Sequence, residues 1–223
     1  MAYQFDFSSL SGHWGMLAKG AGLTLSLTVI GGVVGVAIGI AGAWARSRRV
    51  PVLSQVVGFY VEFIRNTPFL IQLFFLFFGL PAMGLRMGEF QAAALAMVVN
   101  LGAYSTEIIR AGVQSIPRGQ IEAGMSLAMT PFQIFRYVIL VPALAKIWPA
   151  LCSQVVIVML GSSVCSQIAA EELTFAANYI QSRNFRAFEI YFVITGIYLL
   201  LSILLRRFLF LFGTMLFERR RHV

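Results

Sequence analysis

The chain has 223 residues, of which 59% are hydrophobic and 12% charged, with a mean hydropathy of +0.82. Soluble domains carry about 45–50% apolar and about 25% charged residues, so a soluble fold is excluded and lipid is the expected solvent. The net charge of +8 would suggest nucleic acid in a soluble protein; here the basic residues flank apolar runs, so membrane topology accounts for them and no nucleic-acid partner is expected.

A helix needs about 20 apolar residues to cross the hydrocarbon core. Charge-free windows of that length, or nearly so, occur five times: about 20–45, 66–85, 90–106, 147–170 and 190–205. The third and fifth are short and need their flanking charges to snorkel. Five is odd, so the termini are expected on opposite faces of one membrane domain, 1–223. The first span carries Gly31, Gly35, Gly39 and Ala43, one small residue every fourth position, a stripe along which a second helix backbone can approach closely. "AGAWA" after it resembles a signal-peptidase site, but the positive charges follow the apolar run instead of preceding it, so the span is read as retained. "RVPVLSQVVGFYVEFIRNTP" then predicts an interfacial helix on the cytoplasmic side that turns inward at Asn66-Thr67-Pro68.

Lys and Arg set the orientation. An external N-terminus leaves Lys19, Arg86, Arg183 and Arg186 outside. The other thirteen of the 17 fall inside: Arg46, Arg48, Arg49, Arg65, Arg110, Arg118, Arg136, Lys146, Arg206, Arg207, Arg219, Arg220 and Arg221. Trp14, Trp44 and Trp148 are expected at span ends, in the aromatic belt.

Between the third and fourth spans, 117–137 reads as a broken pair of helices on the cytoplasmic face. Pro117 and Gly119 mark the break. Ile121, Met125 and Ala128 follow i, i+4, i+7 spacing and predict a short helix with one apolar face. Ala123 and Gly124 leave a low patch beside it, and Glu122 is placed in the first turn, where a carboxylate suits the helix dipole. Thr130, Pro131 and Gln133 form an N-cap, a first-turn proline and a capping box that start a second helix.

Polar residues inside spans are candidates for a substrate path, because exposing them to lipid is costly: Asn66, Thr67 and Gln72 in the second span, Asn100, Tyr104 and Ser105 in the third, Gln154, Ser162 and Ser163 with Ser153 and Ser166 in the fourth. Helix-to-helix hydrogen bonding is the alternative role for each. Glu62-x-x-Arg65 and Glu107-x-x-Arg110 set opposite charges three apart near inner span ends, as interfacial ion pairs or as an anion contact. Cys152 and Cys165 read as small core residues. His13 and His222 sit at opposite ends, so no metal site is expected, and no catalytic residues are assigned.

"VEFIRNTPFLIQLFFLFFGLP", "AYSTEIIRAGVQSIPRGQIEAG" and "SRNFRAFEIYFVITGIYLLLS" together resemble, in order along the chain, the permease subunits of ATP-binding-cassette importers for polar amino acids, the histidine, glutamine, arginine and opine group. Residues 118–144 are similar to that family's cytoplasmic EAA loop. Glu122-Ala123-Gly124 stands for its acid and two small residues, Ala128 where glycine is usual, Val138 and Leu140 in the Ile-x-Leu positions, and Pro142 one place late. In the fourth span Leu160-Gly161-Ser162-Ser163-Val164 stands where many members read Lys-Asp-Thr-Ser-Leu.

The resemblance implies an all-α integral membrane protein of type I importer architecture with five transmembrane helices and a cytoplasmic coupling-helix loop. Gly119, Glu122, Ala123, Gly124 and Ala128 would dock in a separate ATP-binding subunit that holds the ATP and Mg, with no cofactor in this chain. A periplasmic binding protein would deliver the polar amino acid or opine, and a sister permease would complete the pore. The missing Lys-Asp pair favours a heterodimer. Localisation would be the bacterial inner membrane, N-terminus periplasmic and C-terminus cytoplasmic. A secondary transporter driven by an ion gradient is the alternative; five spans without duplicated halves and no mid-membrane ionisable relay weigh against it. An intramembrane enzyme would need a base beside Ser162 or Ser163 that the span lacks. A scaffold without a transport role would leave the polar span residues unused.

Overall fold

The computed structural model describes residues 4–8, 11–47 and 51–218. Arg48, Arg49, Arg219, Arg220, Arg221 and His222 lie outside the described residues. Within them the chain is helical, without strands. Helix α1 is Trp14–Ser47, α2 is Pro51–Arg65, α3 is Phe69–Ala82, α4 is Glu89–Gln114 and α5 is Arg118–Ser126. Helix α6 is Pro131–Ile168, α7 is Leu173–Asn184 and α8 is Ala187–Glu218. Four of these, α1, α4, α6 and α8, are long and apolar enough to cross a bilayer alone; α2 and α3, bent by 110° at their junction, pass the same test together.

The small-residue stripe of α1 packs on α4. Gly31 faces Met97, Gly35 faces Leu101 and Gly39 faces Ser105, so the two helices run parallel, in step every four residues. A Cβ on Gly39 would stand 2.5 Å from that of Ser105; only glycine lets the backbones meet this closely. Parallel α1 and α4 require the chain to recross the membrane between them, and the bent α2–α3 pair is what lies there. Helix α6 runs antiparallel to α4, with Ala143 and Ile147 against Gly112, and Leu151 in one cluster with Ile109. Helix α8 runs antiparallel to α6: the Trp148 indole N–H donates to Leu209 O at 2.8 Å, and Leu205 packs in the cluster that holds Val155. Five alternating crossings put the ends of α1 and α8 that lie nearest the chain termini at opposite ends of the bundle.

Several boundaries differ from the hydropathy windows, because polar residues that snorkel or pair inside a bundle do not end a helix. The first span is Trp14–Ser47 instead of 20–45, the third Glu89–Gln114 instead of 90–106, and the fifth Ala187–Phe217 instead of 190–205. The second is not a straight 66–85 helix. The fourth begins at Pro131, so the second helix of the 117–137 loop is the foot of α6 and not a separate surface element. That foot widens into a π-type turn over Ile134–Leu140, and α3 does the same over Phe75–Gly79. Each widening ends just before a proline, Pro142 and Pro81, whose missing N–H and ring clash disrupt the α ladder.

Helix α2 is also not purely interfacial. The Tyr60 hydroxyl donates to Val99 O at 2.6 Å and the Arg65 guanidinium lies 5.4 Å from the Tyr104 ring centroid, so its second half packs at the mid-level of α4. Trp148 stands well inside α6, against Phe212 and Phe217 of α8, and not at a helix end. Helix α7, absent from the hydropathy reading, covers the other end of the bundle, where Leu173, Ala176, Ala177 and Ile180 pack on Leu17, Ile190 and Ile194.

Candidate functional site: an exposed helix and a membrane cavity

Helix α5 hangs between the ends of α4 and α6. Gly119, Glu122, Ala123 and Ala128 are exposed, whereas Gly124 is buried. A Cβ on Gly124 would lie 3.2 Å from Ile134 and 3.5 Å from Val138, so this glycine seats α5 on the foot of α6 and is not part of the outward patch with Ala123. The helix starts at Arg118 with Pro117 as N-cap, which places Glu122 in the second turn, not the first. Ile121 and Met125 line a cleft of ≈ 480 Å³ with Val113, Phe135 and Ile139, with Met125 still exposed.

Ala128 is not on that helical face. It lies beyond the last turn with φ +53°, its N–H bonded to Met125 O at 2.9 Å, and the next N–H, of Met129, bonded to Gly124 O at 3.2 Å. These two bonds are the Schellman closure, whose left-handed residue is usually glycine. The following helix begins as the sequence predicts: Thr130 Oγ1 accepts from Gln133 N at 3.3 Å and Gln133 Oε1 accepts from Thr130 N at 2.7 Å. Helix α5 is therefore a rigid, capped lever with one polar side open.

The second candidate region is a cavity of ≈ 430 Å³ lined by Thr67, Pro68, Phe69, Asn100, Tyr104, Gln154, Ile157, Val158, Gly161 and Val164. It gathers four expected path residues, Thr67, Asn100, Tyr104 and Gln154, from the α2–α3 break, α4 and α6. Gln72 stands behind them. Its amide donates to Ile64 O at 2.7 Å, to Thr67 O at 3.0 Å and to Thr67 Oγ1 at 2.9 Å, and its Oε1 accepts from Asn100 Nδ2 at 3.0 Å. Pro68 supplies no N–H and the bend strands the last carbonyls of α2, so Gln72 satisfies backbone groups that lipid could not.

The other expected path residues do not line the cavity. Asn66 Nδ2 donates to Glu62 O at 2.8 Å. Ser162 and Ser163 donate to Met159 O and Leu160 O at 2.7 and 2.8 Å, and Ser166 likewise turns back to Ser163 O, the habit of short hydroxyl side chains in a tight helical turn. Ser105 is buried against Gly39 of α1. Of the two Glu-x-x-Arg pairs, Glu107 pairs with Arg110 and also takes Arg46 Nη1 at 3.1 Å. Glu62 and Arg65 form no ion pair among the described residues; Arg65 faces Tyr104 instead.

Sequence reasoning missed the opposite end of the bundle. Glu172 is fully buried. It caps α7, accepting from Phe175 N at 2.8 Å and from the Tyr198 hydroxyl at 2.7 Å, while Leu173 N donates to Thr24 Oγ1 at 3.3 Å. One carboxylate thus binds α1, α7 and α8 together. Burial pushes its carboxyl above the usual glutamate range, against the opposing pull of those donors. The signal was present, an acid placed three residues before Phe175 at the start of a non-hydrophobic helix. Next to it, Arg186 Nη1 donates to Glu189 Oε1 at 3.2 Å and to Gln4 O at 3.0 Å, and Asp6 N donates to the same Glu189 oxygen at 3.1 Å, so the N-terminal segment is tied to the foot of α8.

Comparison with known proteins agrees with this arrangement. Residues 35–215 match the family described as binding-protein-dependent transport system inner membrane component. The glutamine transport system permease protein of Escherichia coli strain K12 is 36% identical over 204 residues, covering 91% of this chain and 93% of the relative. The L-cystine transport system permease protein of Bacillus subtilis is 37% identical over 171 residues, 77% and 73% of the two chains. The crystal structure of an amino acid ABC transporter with histidines superposes with a TM-score of 0.85 at 35% identity, covering 96% of this chain and 100% of that one. An inward-facing methionine ABC transporter shares the fold, with a TM-score of 0.73 at 22% identity over 94% and 98% of the chains.

Proposed function

The chain belongs to the family of binding-protein-dependent transport system inner membrane components, and from that premise we propose that it passes a polar amino acid or opine across the bacterial inner membrane. It is an ABC importer permease, a transport subunit, and its family works with ATPase and binding-protein partners. The narrower reading is that α5 is the handle of the ATP-binding subunit, which carries the ATP and Mg, and that the cavity at the α2–α3 break is this chain's share of the pathway. The glutamine and cystine permeases among its relatives support the amino-acid class.

One observation carries the coupling assignment. A nine-residue helix, capped at its C-terminal end and seated on the foot of α6 through Gly124, leaves Gly119, Glu122 and Ala123 open. A stiff exposed helix joined to two spans transmits force only if the nucleotide states of a partner grip it differently. Orientation follows from charge. Arg46, Arg110, Arg118, Arg136 and Lys146 gather at the α5 end, while Lys19, Arg183 and Arg186 lie at the α7 end, which supports a cytoplasmic α5 and a periplasmic N-terminus.

The cavity is only partly enclosed by this chain's α2–α3 break, α4 and α6, which supports a sister permease as the other half of the pore. Leu160-Gly161 stands where many family members carry a charged pair, and a heterodimer in which the sister supplies those charges accounts for this. The test is reconstitution in proteoliposomes with the co-purifying ATPase and binding protein. Uptake that needs ATP, with a second, different permease in the complex, is the expected result. Uptake that follows an ion gradient without nucleotide would overturn the importer mechanism, and a complex holding two copies of this chain alone would overturn the heterodimer.

A further inference from the structure

The fifth crossing carries two charges that no acid of this chain meets among the described residues. Helix α8 has 32 residues, about 48 Å at 1.5 Å per residue, whereas the hydrocarbon core takes about 20 residues. Counted from Ala187, a crossing of that length ends at Arg206. Arg206 and Arg207 are exposed and form no ion pair among the described residues, and Lys146 of α6 is exposed and unpaired in the same way. The next acid along α8 is Glu218, about 16 Å beyond Arg207. An exposed side chain on a membrane helix faces lipid, and at the inner edge of the hydrocarbon the anion within its reach is a lipid phosphate.

Beside these charges α6 and α8 part around a recess of ≈ 650 Å³, whose lining includes Ala145, Lys146 and Trp148 of α6 and Phe210, Thr214 and Phe217 of α8. Among the described residues Lys146 is the one charge in that lining. Arg206 and Arg207 line a second recess of ≈ 390 Å³, and Phe210 borders both. Spacing i, i+3, i+7 puts Arg207, Phe210 and Thr214 on one face of α8. The Trp148 indole meets Leu209 O and Gly213, which fixes the level of the two antiparallel helices. Lys146 lies two residues from Trp148, and Arg207 two residues from Leu209, on opposite sides of that level. Their backbones therefore stand within about 10 Å of one another along the helix axes.

We propose that this recess holds an anionic phospholipid of the inner leaflet, its phosphate between Lys146 and the Arg206–Arg207 pair. Long basic side chains reach a phosphate from either side while their stems stay on carbon. Ile203 and Leu199, one and two turns deeper on the face of Arg207, are exposed and give an acyl chain an apolar wall. Trp148 then stands at headgroup level, where an indole is favoured. A sister permease covering the same face would have to bury three basic residues, and protein interfaces deplete charge at their core. A lipid leaves those groups at the water edge.

The experiment uses the assembled complex purified with its partners. Native mass spectrometry measures retention of dioleoyl phosphatidylglycerol against dioleoyl phosphatidylcholine, added in equal amounts. Each basic residue near an anionic headgroup contributes about fivefold, so a preference for phosphatidylglycerol of about tenfold or more is expected. The triple substitution Lys146→Gln, Arg206→Gln, Arg207→Gln is expected to bring the two lipids within about twofold, as the loss of three such contributions requires. Arg136→Gln removes an exposed charge from the same end of the bundle, outside the recess, and is expected to keep the preference. Ala145→Trp fills the recess with all three charges in place and is expected to lose it. Equal retention of both lipids by the unaltered complex overturns the proposal, as does retention of neither, the result if the sister permease covers this face. A preference that survives the triple substitution or Ala145→Trp, or that falls as far in Arg136→Gln, also overturns it. If the triple variant fails to assemble, Ala145→Trp and Arg207→Gln alone decide, with the same readout.

Discussion

Asn100 donates its side-chain amide to the Oε1 of Gln72 at 3.0 Å, and this bond fastens the broken second span to the straight third one. Both residues are nearly sealed, at 9% and 7% exposure. Gln72→Leu removes the donor for Ile64 O and Thr67 O as well as the acceptor for Asn100. Each buried group left unsatisfied costs about 1–3 kcal/mol. The expected outcome is a clear drop in the melting temperature of the detergent-solubilised protein, larger than for Asn100→Leu, with strong coupling in a double-mutant cycle. Additive effects would mean that the break is held by other groups.

The α1–α4 contact is expected to tolerate no added carbon. Gly39→Val brings side-chain atoms onto Ser105 and Thr106, and overpacking of this kind costs roughly 1–3 kcal/mol. Gly22→Val and Gly196→Val meet nothing within 4 Å and serve as controls. Membrane yield and thermal stability of the three variants are the measurement, with loss expected at residue 39 alone.

Ala128 pays for its left-handed backbone, because a Cβ at positive φ costs about 1–2 kcal/mol that glycine avoids. Ala128→Gly is therefore expected to raise stability and to slow hydrogen exchange across 118–128, while Ala128→Val lowers both. A neutral Ala128→Gly would show that the turn relaxes in the assembled complex.

Gly124 and Ala123 are expected to fail in different ways. Ala123→Trp adds bulk on the open side and should abolish ATPase co-purification with the permease fold intact. Gly124→Leu collides with Ile134, so it should loosen the seating of α5, increasing proteolysis at 127–130 while the ATPase is retained in part. Identical behaviour of both variants would contradict the opposed placement of the two residues.

The buried Glu172 carries a pH dependence whose direction follows from linkage. Burial raises its carboxyl above the ordinary value, so between the unfolded value, about 4.3, and the higher folded one the native state binds more protons than the unfolded chain. Stability contributed by this group is then greatest at low pH and falls as pH rises through that window. Glu172→Gln keeps the cap in neutral form and should flatten the decline measured by thermal denaturation as pH rises above the ordinary glutamate range. A slope unchanged by the substitution would assign the dependence to other groups.

The segment from Pro117 to Gln133 was legible because its signals are local. A proline before the helix, a Thr-Pro-x-Gln cap after it and the Ile121–Met125 spacing act within one or two turns, and the structure keeps all three. Gly124 and Ala128 were misplaced because the direction in which a residue faces depends on where the helix is seated and where it ends. The four cavity residues were recognisable as polar groups at membrane depth, yet Gln72, Ser162 and Ser163 looked the same in sequence. What separates them is the bend at Pro68 and the tight turn at 162–168, which return those side chains to the backbone.

Composition and the spacing of apolar runs determined by themselves that this chain lives in lipid and where its main apolar helices lie. Those properties depend on transfer free energies summed along the chain, which need no knowledge of neighbours. Tertiary structure alone decided that α1 and α4 run in parallel, that α2 reaches mid-membrane, that Glu172 binds three helices at once and that Arg65 is left without an acid. Each of these depends on which helix lies against which, and the energy of a buried polar or charged group is set by the atoms that surround it, not by its place in the sequence.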